Sequence, residues 1–89
     1  MNRREEIELE IKWAEGKINK YVNKIYNKKL KLEKLKQELK SIIENPQATE
    51  EEIIDCITDI KLKYYKIEEF KKDIKRYHEY MEELQEDLK

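Results

Sequence analysis

Apolar residues recur along nearly the whole chain at alternating intervals of four and three residues, the spacing of a helix that buries one narrow stripe. In the first half of the chain the stripe holds Ile7, Ile11, Ala14, Ile18, Tyr21, Ile25, Lys28, Leu32, Leu35, Leu39 and Ile42. In the second half it holds Ile53, Ile57, Ile60, Tyr64, Ile67, Phe70, Ile74, Tyr77, Met81, Leu84 and Leu88. The second stripe has two successive intervals of three near Ile67, a stammer that overwinds a helix locally. The pattern predicts two long α-helices.

Two capping signals mark where these helices begin. Asn2 is followed three residues later by Glu5, and Thr49 is followed three residues later by Glu52. In such a capping box, the side chain of the first residue accepts a hydrogen bond from a backbone N–H of the first helical turn. We therefore expect Asn2 and Thr49 to be the N-caps of the two helices.

Pro46 is the only proline of the chain and separates the two stripes. A proline disfavours the α conformation for the residue before it, so Asn45 should end the first helix. We predict helix one at about 3–44, a turn at 45–49 and helix two at about 50–88. The full chain of 89 residues is then a single domain, a helical hairpin.

A hairpin brings the two stripes face to face when contacting residue numbers add to about 95. Ile42 then meets Ile53 beside the turn, and Ile7 meets Leu88 at the free ends. Charged residues make up 46% of the chain, a composition that also occurs in disordered proteins. A disordered chain has no reason to match two apolar stripes layer by layer. We therefore predict an all-α fold, an antiparallel two-helix coiled-coil hairpin.

Further apolar residues lie outside the stripes, and a two-helix rod leaves many of them in contact with water. These residues are Leu9, Trp13, Val22, Tyr26, Leu30, Ile43, Ile54, Cys56, Leu62, Tyr65 and Tyr80. Large exposed apolar patches mark interfaces. We expect a homodimer that forms a four-helix bundle, and an additional, unidentified protein partner. The predicted contact residues are Leu9, Trp13, Tyr26, Leu30, Leu62 and Tyr65.

Charge is segregated along the predicted rod. The turn end, 41–59, holds six acidic residues and no basic one, whereas the two middle segments, 16–40 and 60–78, hold sixteen basic and five acidic residues. A lysine-rich middle suggests an alternative function, a helical rod that binds a nucleic-acid backbone. The predicted contacts for that alternative are Lys20, Lys24, Lys31, Lys34, Lys63 and Lys66. A staggered homo-oligomer, in which acidic ends meet the basic middle, is a second interpretation of the same pattern.

No combination of residues suggests catalysis. His78 is the only histidine, and the only cysteine, Cys56, lies 22 residues away on the same helix, which is ~33 Å along its axis. His78 lacks a glutamate three residues before it and is better explained by a surface pair with Glu82. The single glycine, Gly16, lies on an outer helix face and forms no phosphate loop. We expect a non-enzymatic adaptor, scaffold or inhibitor with no metal, cofactor or small-molecule substrate.

The setting of the protein is inferred from composition. A single cysteine forms no internal disulfide, and the longest stretch without a charge is far shorter than the ~20 apolar residues of a membrane span. We expect a cytoplasmic protein that does not contact membranes. Lys, Ile, Asn and Tyr fill 40 of the 89 positions, which fits AT-rich codons and an origin in a low-GC bacterium, a phage or another mobile element.

Overall fold

A computed structural model describes residues 2–89 of the protein. Two α-helices make up the fold, α1 at Arg3–Glu44 and α2 at Glu50–Asp87. They pack against each other along their length, and the molecule measures 68 × 16 × 14 Å. The protein is therefore an all-helical, two-helix hairpin, a rod about four times as long as it is wide.

Both predicted N-caps are present. The Asn2 side-chain oxygen accepts a hydrogen bond from the Glu5 backbone N–H at 2.8 Å, and the Thr49 hydroxyl accepts one from the Glu52 N–H at 3.2 Å. Each bond satisfies one of the N–H groups that a helix leaves free at its start. The first turn of α2 also contains three glutamates, whose negative charges interact favourably with the positive end of the helix dipole.

The turn is closed by Asn45, which has extended backbone angles and lies before Pro46. Its N–H donates to the Ile42 carbonyl at 3.1 Å, and its side-chain oxygen accepts from the Gln47 N–H at 3.0 Å. The Asn45 carbonyl in turn accepts from the Ala48 N–H at 3.1 Å. One residue thus ends α1 and holds the chain in the turn.

The stripe predicted for α1 is confirmed. All eleven of its side chains are buried or half-buried, including Lys28, and the most buried are Ile7, Ala14 and Leu32. In heptad notation, in which positions a and d face the partner helix, these residues occupy a and d without interruption. Of the other described α1 residues, only Glu10 and Lys17 are partly buried, and both lie at position g beside the seam.

The stripe predicted for α2 is wrong at two places. Tyr64 was placed in the seam but is 46% exposed, and Cys56 was placed outside it but is only 6% exposed. Lys63 is half-buried in the place expected for Tyr64. With Cys56 and Lys63 at position d, the α2 seam alternates between three and four residues throughout, so no stammer is present.

The corrected seam also has a simpler register. Each α2 seam residue now faces an α1 seam residue, and the two residue numbers of each pair add up to 95. Lys63 thus faces Leu32, and Cys56 faces Leu39. The Cys56 thiol donates to the Leu35 carbonyl at 3.5 Å. Helix geometry explains the outcome, since a strict heptad keeps the buried positions on the side that faces the partner helix.

Aromatic side chains join the helices in the half of the rod near the free ends. The Tyr21 ring lies 5.8 Å from the Phe70 ring and 6.0 Å from the Tyr77 ring, centroid to centroid. Tyr80, which was expected to lie outside the seam, is half-buried, and its hydroxyl donates to a Glu10 carboxylate oxygen at 3.0 Å. This hydrogen bond and burial raise the pKa of the Tyr80 hydroxyl.

Neither helix formed by residues 2–89 combines the length and the apolar character needed to cross a lipid bilayer.

Candidate interaction surfaces

The rod has two different long sides. In an antiparallel hairpin the e positions of both helices lie on one side of the seam and the g positions lie on the other. Two contacts identify them: the Lys36 ammonium lies 5.5 Å from the centre of the Tyr64 ring, both at position e, and Tyr80 bonds to Glu10, both at position g. The two sides therefore carry different residues.

Five of the ten large exposed apolar residues lie on the e side, and we call this group, together with Ile57, the apolar flank. Its members, at positions e and b, are Val22, Tyr26, Ile43, Ile54, Ile57 and Tyr64. Five of them are at least 46% exposed, and Ile57 is half-buried. Ile43 and Ile54 lie at the same level beside the turn, whereas Val22 is the member farthest from the turn, ~33 Å away along α1. The flank thus extends over half the length of the rod.

The six residues predicted as protein contacts are all exposed, with side chains between 48% and 62% accessible. They do not form one surface. Leu30 and Tyr65 occupy position f, opposite the seam on each helix, and therefore point away from each other on the two outer surfaces of the rod. Tyr26 belongs to the apolar flank, whereas Leu62, at position c, lies on the g side. A single flat partner covers only part of this set.

Trp13 is partly packed within the chain. Its ring meets the Tyr77 ring edge-on at 5.5 Å and the Tyr80 ring edge-on at 6.4 Å. The Lys17 ammonium lies 5.7 Å from the Trp13 ring centre. Leu9, one turn earlier, lines a separate shallow groove on the outer face of α1. About half of Trp13 remains exposed, so its ring packs against α2 on one side and faces solvent on the other.

The g side carries a dense group of lysines, which we call the lysine flank. Its members, at positions c, d and g, are Lys20, Lys24, Lys28, Lys31, Lys34, Lys63 and Lys66. Six of these seven are the residues predicted from the sequence as nucleic-acid contacts, and the structure brings them to one side of the rod. Lys28 is the additional member, a residue of the predicted stripe that was not included among the predicted contacts.

Two shallow grooves show that five of these lysines are contiguous. One groove is lined by Lys24, Lys28 and Lys31 together with Asn27 and Phe70. The next groove towards the turn is lined by Lys31, Lys34 and Lys63 and also by Leu35, Glu38 and Asp59. Lys31 therefore connects the two grooves, which form one basic strip on the surface.

The seam lysines raise the local positive potential. Repulsion from Lys31, then burial, then repulsion from Lys63 and Lys66 lower the pKa of Lys28. A lowered pKa means that the folded protein disfavours the charged form of this lysine. The helix packing thus holds positive charges close together.

Within residues 2–89, no three His, Cys, Asp or Glu side chains gather in a way that could hold a metal ion. Burial, with repulsion from Glu38 and Asp59, raises the pKa of the Cys56 thiol, which disfavours the nucleophilic thiolate. The His78 ring lies 3.2 Å from a Glu82 carboxylate oxygen on the exposed helix surface, the pair expected from the sequence.

Comparison with protein-family models, with curated proteins and with solved structures gives no match to this chain.

Proposed function

We propose that this hairpin is a non-enzymatic protein-interaction module that self-associates through its apolar flank into a four-helix bundle. In the bundle, its remaining surface is available to another protein, which it serves as adaptor, scaffold or inhibitor. One observation carries the proposal: ten large hydrophobic side chains of the described chain are 46–62% exposed, whereas six residues form the buried core. Exposed apolar surface of this extent is typical of interaction sites.

The energetics favour covering the apolar flank. Complete burial of a large aliphatic or aromatic side chain contributes about 1.5–3 kcal/mol, so covering the exposed half of each flank residue contributes about 1 kcal/mol. Six residues on each of two copies then contribute about 12 kcal/mol. Association costs on the order of 4–15 kcal/mol in lost motion, so the gain exceeds the cost over most of this range. At the low end of the cost the balance is about 8 kcal/mol, which corresponds to a dissociation constant of about 1 µM.

The charge blocks favour one arrangement of the two copies. The flank residues lie in the half of the rod nearest the turn, so an antiparallel, staggered pair places Ile54 of each copy near Val22 of its partner. The acidic turn end, 41–59, then lies beside the basic middle of the other copy. Unlike charges set register and orientation even when each surface pair stabilises little.

The test is sedimentation equilibrium of the wild-type protein and of two charge-matched double variants. Val22→Glu with Ile54→Glu places two carboxylates on the apolar flank. Leu30→Glu with Tyr65→Glu changes the charge equally but on the two outer surfaces. We expect a dimer for the wild type and for the outer-surface variant, and a helical monomer for the flank variant.

Two results would contradict the proposal. A wild-type protein that remains a stable helical monomer at ~100 µM would rule out self-association. Equal dissociation of both double variants would show that added charge, and not the apolar flank, controls assembly. Circular dichroism at the same concentrations verifies that each variant remains helical, so a loss of folding is distinguished from a loss of association.

A further inference from the structure

We propose that the lysine flank is a second binding site, for the phosphodiester backbone of a single-stranded nucleic acid. It lies on the opposite side of the seam from the apolar flank and does not depend on self-association. Its centre is formed by Lys28, Lys31, Lys63 and Lys66, contributed by both helices.

The first argument is the lack of counter-charges within the chain. Among the ion pairs of residues 2–89, one involves this flank, between Lys66 and Glu69 at 3.1 Å. The other lysines of the flank have no carboxylate within 4.0 Å in the described structure. The Lys24 ammonium instead lies over the Tyr21 and Phe70 rings, at 5.2 and 5.6 Å from their centres. Most of the positive charge of the flank is therefore free to bind an anion.

The second argument is the presence of lysine in the seam itself. Lys28 and Lys63 occupy d positions and are the two charged residues of the α1 and α2 seams. Both are half-buried, and each adds positive charge beside Lys31 and Lys66. Polar residues in such positions reduce stability, and this arrangement becomes favourable when an anion lies in the adjacent groove.

The ligand class follows from the type and extent of the charge. Lysine is a compact point charge that contacts phosphates without the fixed geometry needed to read bases, so recognition is independent of sequence. The flank extends over ~21 Å from Lys20 to Lys34. Glu38 and Asp59 close it at the turn end, and the acidic free ends bound it at the other. A flexible single strand fits this short strip, whereas a long duplex along the rod meets acidic residues at both ends.

The test measures binding of a fluorescein-labelled 12-nucleotide single strand by anisotropy at 50 and 200 mM salt. If about five phosphates are neutralised, the affinity should fall by roughly 100-fold between these concentrations, because each contact releases counterions. A 20-base-pair duplex and poly-glutamate serve as competitors. We expect the single strand to bind more tightly than either of them.

Two charge-matched triple variants locate the site. Lys31→Gln, Lys63→Gln and Lys66→Gln remove charge from the flank, whereas Lys29→Gln, Lys61→Gln and Lys75→Gln remove it from the other side of the rod. We expect at least a 30-fold loss of affinity and a shallower salt dependence for the first variant, with less than a threefold loss for the second. Circular dichroism verifies that both remain helical.

Three results would overturn the proposal: no binding by the wild-type protein at 100 µM and 50 mM salt, equal losses in the two triple variants, or tighter binding of the duplex or of poly-glutamate. Because the three substitutions of the first variant lie on the g side, away from the apolar flank, sedimentation of that variant reports separately on the dimer. Failure of one proposal is therefore distinguishable from failure of the other.

Discussion

Replacing the two seam lysines by leucine should stabilise the hairpin. Lys28 and Lys63 occupy d positions and are half-buried, opposite Ile67 and Leu32 in the register of the seam. A fully buried leucine contributes about 1.5–3 kcal/mol, so half-burial contributes about 1 kcal/mol at each site. The double variant Lys28→Leu with Lys63→Leu should therefore gain about 2 kcal/mol, and relief of the repulsion from Lys31 adds to this.

The gain is measured by thermal and urea unfolding, followed by circular dichroism. For a domain of this size, about 2 kcal/mol corresponds to a rise in the melting temperature of about 8–16 °C. All proteins are compared at one concentration, because self-association makes the melting temperature concentration-dependent. The matched control is Lys12→Leu with Lys72→Leu, whose side chains are exposed and lie outside both flanks, and whose replacement should change stability by about 0.5 kcal/mol or less.

A double seam variant that is no more stable than this control would refute the reasoning, because it would mean that the register of the seam is not the one described. A stabilised variant that also loses affinity for the single strand would support a role for the seam lysines in binding. Natural proteins commonly retain destabilising residues where function requires them.

Two further substitutions test the surface and the buried thiol. Gly16→Ala should stabilise α1 by about 1 kcal/mol, since alanine is the better helix former and the added Cβ meets no atom within 4 Å. Urea unfolding measures this gain in stability. A loss of stability would indicate that this helix face is covered in the assembled protein. The pKa of Cys56 is raised by burial and by Glu38 and Asp59, so the folded state favours the protonated thiol. Stability from this group is present below the pKa of the unfolded thiol, about 8.5, and is lost as pH rises from there through the folded value. Urea unfolding at pH 7 and pH 9.5 should therefore show a smaller loss for Cys56→Ala than for the wild-type protein, and equal losses would contradict the inference. Modification of the thiol by a disulfide reagent should likewise be at least about tenfold slower in the folded than in the urea-unfolded protein, by the same burial.

Local signals were sufficient for the helices and for the turn between them. Asn2 and Thr49 are N-caps because their side chains reach the backbone within one turn, and Asn45 leaves the helix because Pro46 follows it. The α1 stripe was also predictable, since its apolar residues occupy successive a and d positions with one exception, Lys28. These features depend on residues that lie within about four positions of each other in the sequence, so they can be recognised without the tertiary structure.

The α2 seam could not be predicted from residue type alone. Hydrophobicity favours Ile57 over Cys56 and Tyr64 over Lys63, yet the structure places the cysteine and the lysine in the seam. The sequence did contain one signal for the correct seam: only Cys56 and Lys63, the less apolar residues, keep a strict alternation of three and four residues along α2. The packing of α1 decides it, because a neighbouring position on a helix points about 100° away from the partner.

The separation of the surface into two flanks was likewise decided by tertiary structure. The sequence by itself determined that the middle of the rod is basic and that apolar residues remain outside the seam. Only the antiparallel pairing of the helices places Lys63 and Lys66 beside Lys28 and Lys31 on one side, and the exposed isoleucines on the other. The physical reason is that each side of the rod is built from both helices, so its composition depends on how two distant segments are aligned.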